Sequence, residues 1–158
     1  MYRIKIFILL SAVLLSACST APKNAASYID AKIGIPSEDK AVLVIYRQMV
    51  PPVAYSVSAE VDGKPIAKLP NNTFTWTYLE EGDHNIKIKW PFMALTPSKE
   101  YVLNIVPGNY YYVEFGGDLH VGWINTAIPY TVNNLSPIDP KKAEHVLTEC
   151  CSYMPARL

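Results

Sequence analysis

The chain has 158 residues, 14 basic and 14 acidic side chains and no formal net charge, and half of it is hydrophobic. That length allows one domain with room for a tail, and the lack of any basic block argues against nucleic acid as a partner. Thirteen prolines and eleven tyrosines against four phenylalanines point to turn-rich β structure.

The first element is a targeting signal. "MYRIK" supplies Arg3 and Lys5, and "IFILLSAVLL" follows as an apolar run of ten residues. A bilayer span takes about 20 residues, so this run is too short to cross and suits the core of a signal peptide. It ends in Leu15-Ser16-Ala17-Cys18. That tetrapeptide resembles the lipobox of bacterial lipoproteins: a leucine, two small residues, then cysteine. The resemblance implies loss of the signal peptide 1–17, diacylglycerol on the Cys18 thiol, and usually an acyl chain on its new amine. Two or three chains anchor far more firmly than one. The partner so implied is a membrane, reached through the lipid on Cys18. In enterobacterial-type lipoproteins an aspartate after the cysteine tends to retain the protein in the inner membrane. Ser19 stands there, so the expected location is the outer membrane, facing the periplasm. Maturation leaves 12 basic against 14 acidic side chains, a net −2, and hence no electrostatic draw to anionic lipid.

Residues 18–40 read as the lipidated N-terminus and a flexible tether. "STAPKNAASYIDAKIGIPSEDK" (19–40) is small, polar and mixed, and a flexible chain of that length spans roughly 25 Å on average. The body begins at Ala41. "AVLVIYR" (41–47) has the pattern of a strand buried on both faces. "YSVSAEV" (55–61) alternates, with Tyr55, Val57, Ala59 and Val61 on one side. "DGK" (62–64) is a hairpin signal, because Asp-Gly accepts positive φ, and "PIAKL" (65–69) returns. "FTWTYL" (74–79) sets Phe74, Trp76 and Tyr78 on one face, and "HNIKIKW" (84–90) points Ile86, Ile88 and Trp90 inward. "YVLNIV" (101–106) and "YYYVEF" (110–115) form a further hairpin across "PGN". "GGD" (116–118) reads as a break, followed by two weaker strands, "LHVGWI" (119–124) and "IPYTV" (128–132). In the final segment Asp139 is a plausible N-cap and Pro140 a first helical residue, with Ala143, Val146 and Leu147 on one face of a helix over 140–150. The expected architecture is all-β: an antiparallel β-sandwich over residues 41–135, with the C-terminal helix and tail in 136–158.

"VLVIYR" (42–47), "VDGKPIAKLPNNTFTWTYLEEGDHNIKIKW" (61–90) and "YVLNIVPGNYYYVEF" (101–115) together resemble small bacterial lipoproteins that share domain of unknown function 2846. The shared pattern is a Tyr-Arg strand, a DGK hairpin, a Gly-turn strand and a Gly-x-x-Tyr-Tyr strand. Glu81-Gly82 here replaces the usual Pro-Gly. The DGK hairpin with a Gly–His turn also looks like PEGA-type modules, small β-sandwich units of extracytoplasmic proteins. The resemblance covers about residues 41–115 and rests on turns and core positions, so it speaks for fold and transfers no catalytic residue.

Candidate chemistry is sparse. Cys150 and Cys151 remain once Cys18 is lipidated. Adjacent cysteines in an oxidising compartment close a strained ring, bridge two chains, act as a redox pair or stay buried and reduced; the sequence leaves these readings open. His145 lies near them, but no second Cys/His pair completes a zinc set, so no metal and no cofactor are expected. Asp118 and His120 share strand parity without a further ligand. "SEDK" (37–40) matches S-x-x-K, yet S-D-N and K-T-G are missing, as are G-x-S-x-G, P-loop and dinucleotide fingerprints. Aromatic residues are the remaining signal. Tyr111, Trp123 and Tyr130 are the candidates for stacking on a glycan or docking an envelope protein. The expectation is a non-enzymatic structural or protein-interaction module, with glycan or hydrophobic-ligand binding on an aromatic face as the alternative.

Overall fold

The computed structural model of the chain describes residues 20–124 and 126–156, with side chains described outside 118–131. The signal peptide expected over 1–17, and Cys18 with it, lie outside the described residues. Among the described residues, nine strands form two sheets. They are β1 (Ala41–Arg47), β2 (Val57–Val61), β3 (Lys64–Leu69), β4 (Thr73–Leu79), β5 (Gly82–Lys89), β6 (Lys99–Ile105), β7 (Tyr110–Ile124), β8 (Thr126–Ile138) and β9 (Ser152–Tyr153). A 3-10 turn (Phe92–Ala94) links β5 to β6, and helix α1 (Pro140–Cys150) links β8 to β9. One sheet runs β8-β7-β1-β4-β9 and the other β3-β2-β5-β6.

The two-sheet, all-β expectation therefore holds, but the sandwich is not purely antiparallel. β1 pairs β7 in parallel from Val42↔Tyr110 to Arg47↔Phe115, and β9 pairs β4 in parallel at Thr73↔Ser152 and Phe74↔Tyr153. Parallel neighbours need long crossovers. Here the second sheet, with β4 between its two halves, makes the crossover from β1 to β7, and α1 leads the chain back to β9.

Every residue of β1 is buried because this strand is covered on both sides. Ala41, Leu43 and Ile45 join Val57, Ala59, Leu69, Ile86, Ile88 and Ile105 in the core between the sheets. Val42, Val44 and Tyr46 face a second core with Phe74, Tyr112, Ala143, Leu147 and Cys151. That second core is closed partly by α1. Asp139 caps the helix by accepting from the N–H groups of Lys141 and Lys142, Pro140 opens it, and Ala143 and Leu147 are buried.

The rest of the second core is closed by the segment expected to be a tether. From Thr20, bridged to Asn71, the chain passes Ser27, bridged to Ser152, and lays Tyr28, Ala31 and Ile33 on the core. Tyr110 then donates to the Gly34 carbonyl at 3.1 Å. Residues 20–40 thus form a strap down the outer face of the sheet. The physical reason is visible in hindsight: Tyr28, Ala31 and Ile33 supply enough apolar surface to bind a sheet face that α1 alone leaves open.

"GGD" does not break the chain. β7 continues through Gly116 and Gly117 to Ile124 and pairs residue for residue with β8, from Tyr112↔Ile138 to Ile124↔Thr126. Glycine is what lets the ladder close here, since a β-carbon at Gly117 would sit 3.1 Å from Asn133 Cα. β8 accordingly ends at Ile138, beyond the domain limit of 135 expected from sequence. Residues 116–124 of β7 run nine positions past its last pair with β1, forming with β8 a two-stranded arm.

The two ends of the sandwich differ. At the Arg47 end lie Thr20, the β1–β2 loop, the β3–β4 turn, the 3-10 turn, the Cys150–Cys151 pair and the root of the arm. At the Ala41 end lie the Asp62-Gly63, Glu80-Glu81 and Pro107-Gly108 turns and the start of α1.

Candidate functional site

β4 alternates threonine with aromatic residues, and its threonines, not its rings, face the inter-sheet side. Thr73, Thr75 and Thr77 are buried, while Phe74, Trp76 and Tyr78 look toward the strap and α1. Phe74 is sealed by Tyr28 and Tyr153, with ring centroids 5.5 and 5.4 Å away. Trp76 and Tyr78 are not sealed. They meet edge to face at 5.4 Å, and with Lys40, Thr77, Tyr153 and Ala156 they line a cleft of about 360 Å³. The strap forms one wall and passes so close that a β-carbon at Gly34 would lie 2.8 Å from Trp76 Cζ3.

This cleft combines two features that suit a ligand with a flat apolar face and polar rim, its rings and its lysine. Two rings stand at right angles. The Lys40 ammonium lies 6.0 Å over the Tyr78 ring, a weak cation–π distance that leaves the charge free to bond elsewhere. The indole N–H of Trp76 is buried and meets no acceptor among the described residues.

Beside it runs a tyrosine network. Tyr110 stacks on Tyr112 at 6.4 Å, Tyr112 donates to Glu144 Oε1 at 3.2 Å, and the Tyr28 and Tyr112 hydroxyls are 3.1 Å apart. Burial pushes both the Tyr28 and Tyr112 hydroxyls up from their ordinary range, and the nearby Glu144 carboxylate adds to it. These phenols stay protonated and lock α1 and the strap to the sheet; they are not bases.

The residues expected from sequence are scattered. Tyr111 is half-buried against the inter-sheet core, and its hydroxyl is held by the backbone of Val106, 2.9 Å from the N–H. Trp123 and Tyr130 occupy β7 and β8 in the arm, and their side chains lie outside the described set. Positions 111 and 123 are about 40 Å apart along β7, so the structure does not bring Tyr111 to the other two. Cys150 and Cys151 are joined to each other where α1 ends. Asp118 and His120 also lie in the arm. Among the described residues no three His, Cys, Asp or Glu side chains converge on a metal-sized space, and no helix is long and apolar enough to cross a membrane. The cleft itself was missed because Lys40, Trp76 and Tyr153 come from three distant segments; only the Phe-Thr-Trp-Thr-Tyr alternation hinted at an aromatic face.

Against protein-family models, curated proteins and solved structures, the chain finds no match.

Proposed function

We propose that the protein is a lipid-anchored module of the bacterial cell envelope, held by Cys18, facing the periplasm, and acting by binding a partner protein rather than by catalysis. The N-terminal pattern of charge, apolar run and Leu-Ser-Ala-Cys supports the anchor. The likeness of residues 41–115 to domain of unknown function 2846 and to PEGA-type modules belongs to the same proposal. One observation carries the binding role: the Trp76–Tyr78 cleft presents two aromatic rings at right angles beside the Lys40 ammonium. It lies toward the Ala41 end, away from Thr20 and so away from the anchor. The same cleft favours a second reading, in which a glycan or other flat ligand stacks on these rings.

A photocrosslinking residue at Tyr78, introduced into cells, separates the two. Capture of one envelope protein supports the first reading. Capture of glycan supports the second. Absence of any adduct, with the variant folded and membrane-bound, overturns both. Labelling with a fatty acid tests the anchor, since Cys18→Ala abolishes incorporation if Cys18 is the acylated residue and leaves it unchanged if it is not.

A further inference from the structure

The two ends of the sandwich differ in charge as well as in content. At the Ala41 end, residues 37–40, 62–64, 80–83 and 139–142 carry eleven charged side chains. At the Arg47 end, residues 48–56, 70–72 and 90–98 carry none, and the arm between Gly116 and Asn134 adds only Asp118 and His120. These uncharged loops, flanked by Lys23, Lys89 and Lys99, are also apolar at their surface. In the 3-10 turn and its cap, Phe92 is 87% exposed, Met93 71% and Leu95 86%, and Met49 of the β1–β2 loop is 62% exposed.

Such a cluster costs solubility unless something covers it. Leu95 sharpens the point. It holds φ +50, and its N–H donates to the Phe92 carbonyl to close the turn. Glycine or asparagine takes that backbone conformation with little strain, whereas a leucine there is uncommon. The chain thus places an exposed leucine on strained backbone beside an exposed phenylalanine and methionine.

Thr20, two residues after Cys18, is bridged to Asn71 at this same end. A lipid on Cys18 would therefore leave the fold at the same end as the apolar turn. We infer that the Arg47 end docks on the bilayer, with Phe92, Met93 and Leu95 in the headgroup–acyl boundary. This rests on the anchored reading above. The contact is apolar, not electrostatic, because these loops lack basic residues and the mature chain is net negative. The arm stays at headgroup level, since the unpaired edge groups of a two-stranded ribbon do not enter hydrocarbon.

The test uses the full lipidated chain, reconstituted in vesicles of phosphatidylethanolamine and phosphatidylglycerol. Met93→Cys and, as a control at the opposite end, Glu81→Cys each carry a nitrobenzoxadiazole dye. Doxyl-labelled lipid is expected to quench the dye at 93 about twofold or more and leave 81 unchanged, with no effect of added salt. Adding F92D and L95D to Met93→Cys should abolish that quenching while fatty acid on Cys18 and co-flotation with vesicles persist. A dye at 93 no more quenched than at 81, on a chain that still floats with the vesicles, overturns the docking and leaves the anchor standing. Quenching at 93 on a chain with no fatty acid at Cys18 overturns the anchor and leaves the docking face standing. Protection of residue 93 from a thiol reagent in cells without quenching in vesicles assigns the patch to a protein and overturns the bilayer.

Discussion

Arg47 ends β1 on the core-facing side and is fully buried, with no carboxylate partner among the described residues. Its guanidinium instead donates to the carbonyls of Tyr55, Leu69 and Val50 at 2.7, 2.9 and 3.0 Å, and lies 4.9 Å over the Trp90 ring. Burial lowers its pKa to about 10, so it stays charged at neutral pH. One residue therefore ties the β1–β2 loop, β3 and the start of the 91–98 connection together. Arg47→Met should lower the unfolding free energy by about 3 kcal/mol or more, because buried carbonyls lose their donors; urea denaturation measures it. Arg47→Lys should recover only part, since an ammonium does not reproduce the planar fork. Hydropathy places arginine at the surface, so its burial was not legible, although the Tyr-Arg pattern marked the position. Asp62, by contrast, was legible as a turn residue. It sits at φ +51, accepts from the Asn85 N–H at 2.9 Å and lies 2.7 Å from His84 Nδ1. Burial alone would raise its pKa, but the hydrogen bonds from His84 and Asn85 outweigh that and hold it below the ordinary value. A carboxylate with a lowered folded pKa stabilises fully above its unfolded pKa and stops doing so as pH falls through the folded one. Asp62→Asn should therefore be less stable than the parent at pH 7, and the gap should close on acidification below the usual carboxylate range. The effect is small, because the turn is largely exposed. A gap that persists unchanged at pH 2 would sink the assignment.

At the scale of elements, alternation and turn chemistry located β1 to β6 and the helix closely, because period-two burial and capping are local signals, whereas β7 was split in two, β8 was cut to 128–132 and β9 was not seen. Partners were less legible. The β1–β7 and β4–β9 pairings join segments whose sequences do not encode direction, so a mixed sheet was read as antiparallel. The strap was read as tether because small polar residues dominate it and its apolar contacts are few and irregularly spaced. Gly34 offers a direct check. Gly34→Val has no room against Trp76 and Tyr78, so it should lift the strap and speed trypsin cleavage at Lys32 several-fold. Equal cleavage in parent and variant would show the strap is not seated there. On the other side of the same core, Leu147→Ala should cost ~2–4 kcal/mol, as the leucine is fully buried between α1 and the sheet. The Cys150–Cys151 bond closes the smallest loop a chain allows, so it restrains the unfolded chain little. Reducing it should lower stability by only ~1 kcal/mol, read as a small shift in thermal midpoint with and without reductant.

At the scale of the whole molecule, three layers are stacked: the four-stranded sheet, the five-stranded sheet, and an outer layer of strap and helix. Core between the first two comes from regular alternation and was readable; the outer core draws Tyr28, Phe74, Tyr112 and Leu147 from four remote stretches and was not. The outer layer also fixes an order in time. Ser27 bridges Ser152, and the Tyr153 N–H donates to the Ala26 carbonyl at 2.8 Å. Residues 26–27 thus rest on residues 152–153. These partners are remote along the chain, so the strap cannot complete its seat until the segment around Tyr153 has been made. Contacts this distant along a chain make for slow folding. Hairpins β2–β3 and β5–β6 are expected to form early and the strap last. Pulsed hydrogen exchange during refolding should protect Ile86 well before Tyr153, and a chain ending at Cys151 should keep the sandwich while its strap stays open to protease.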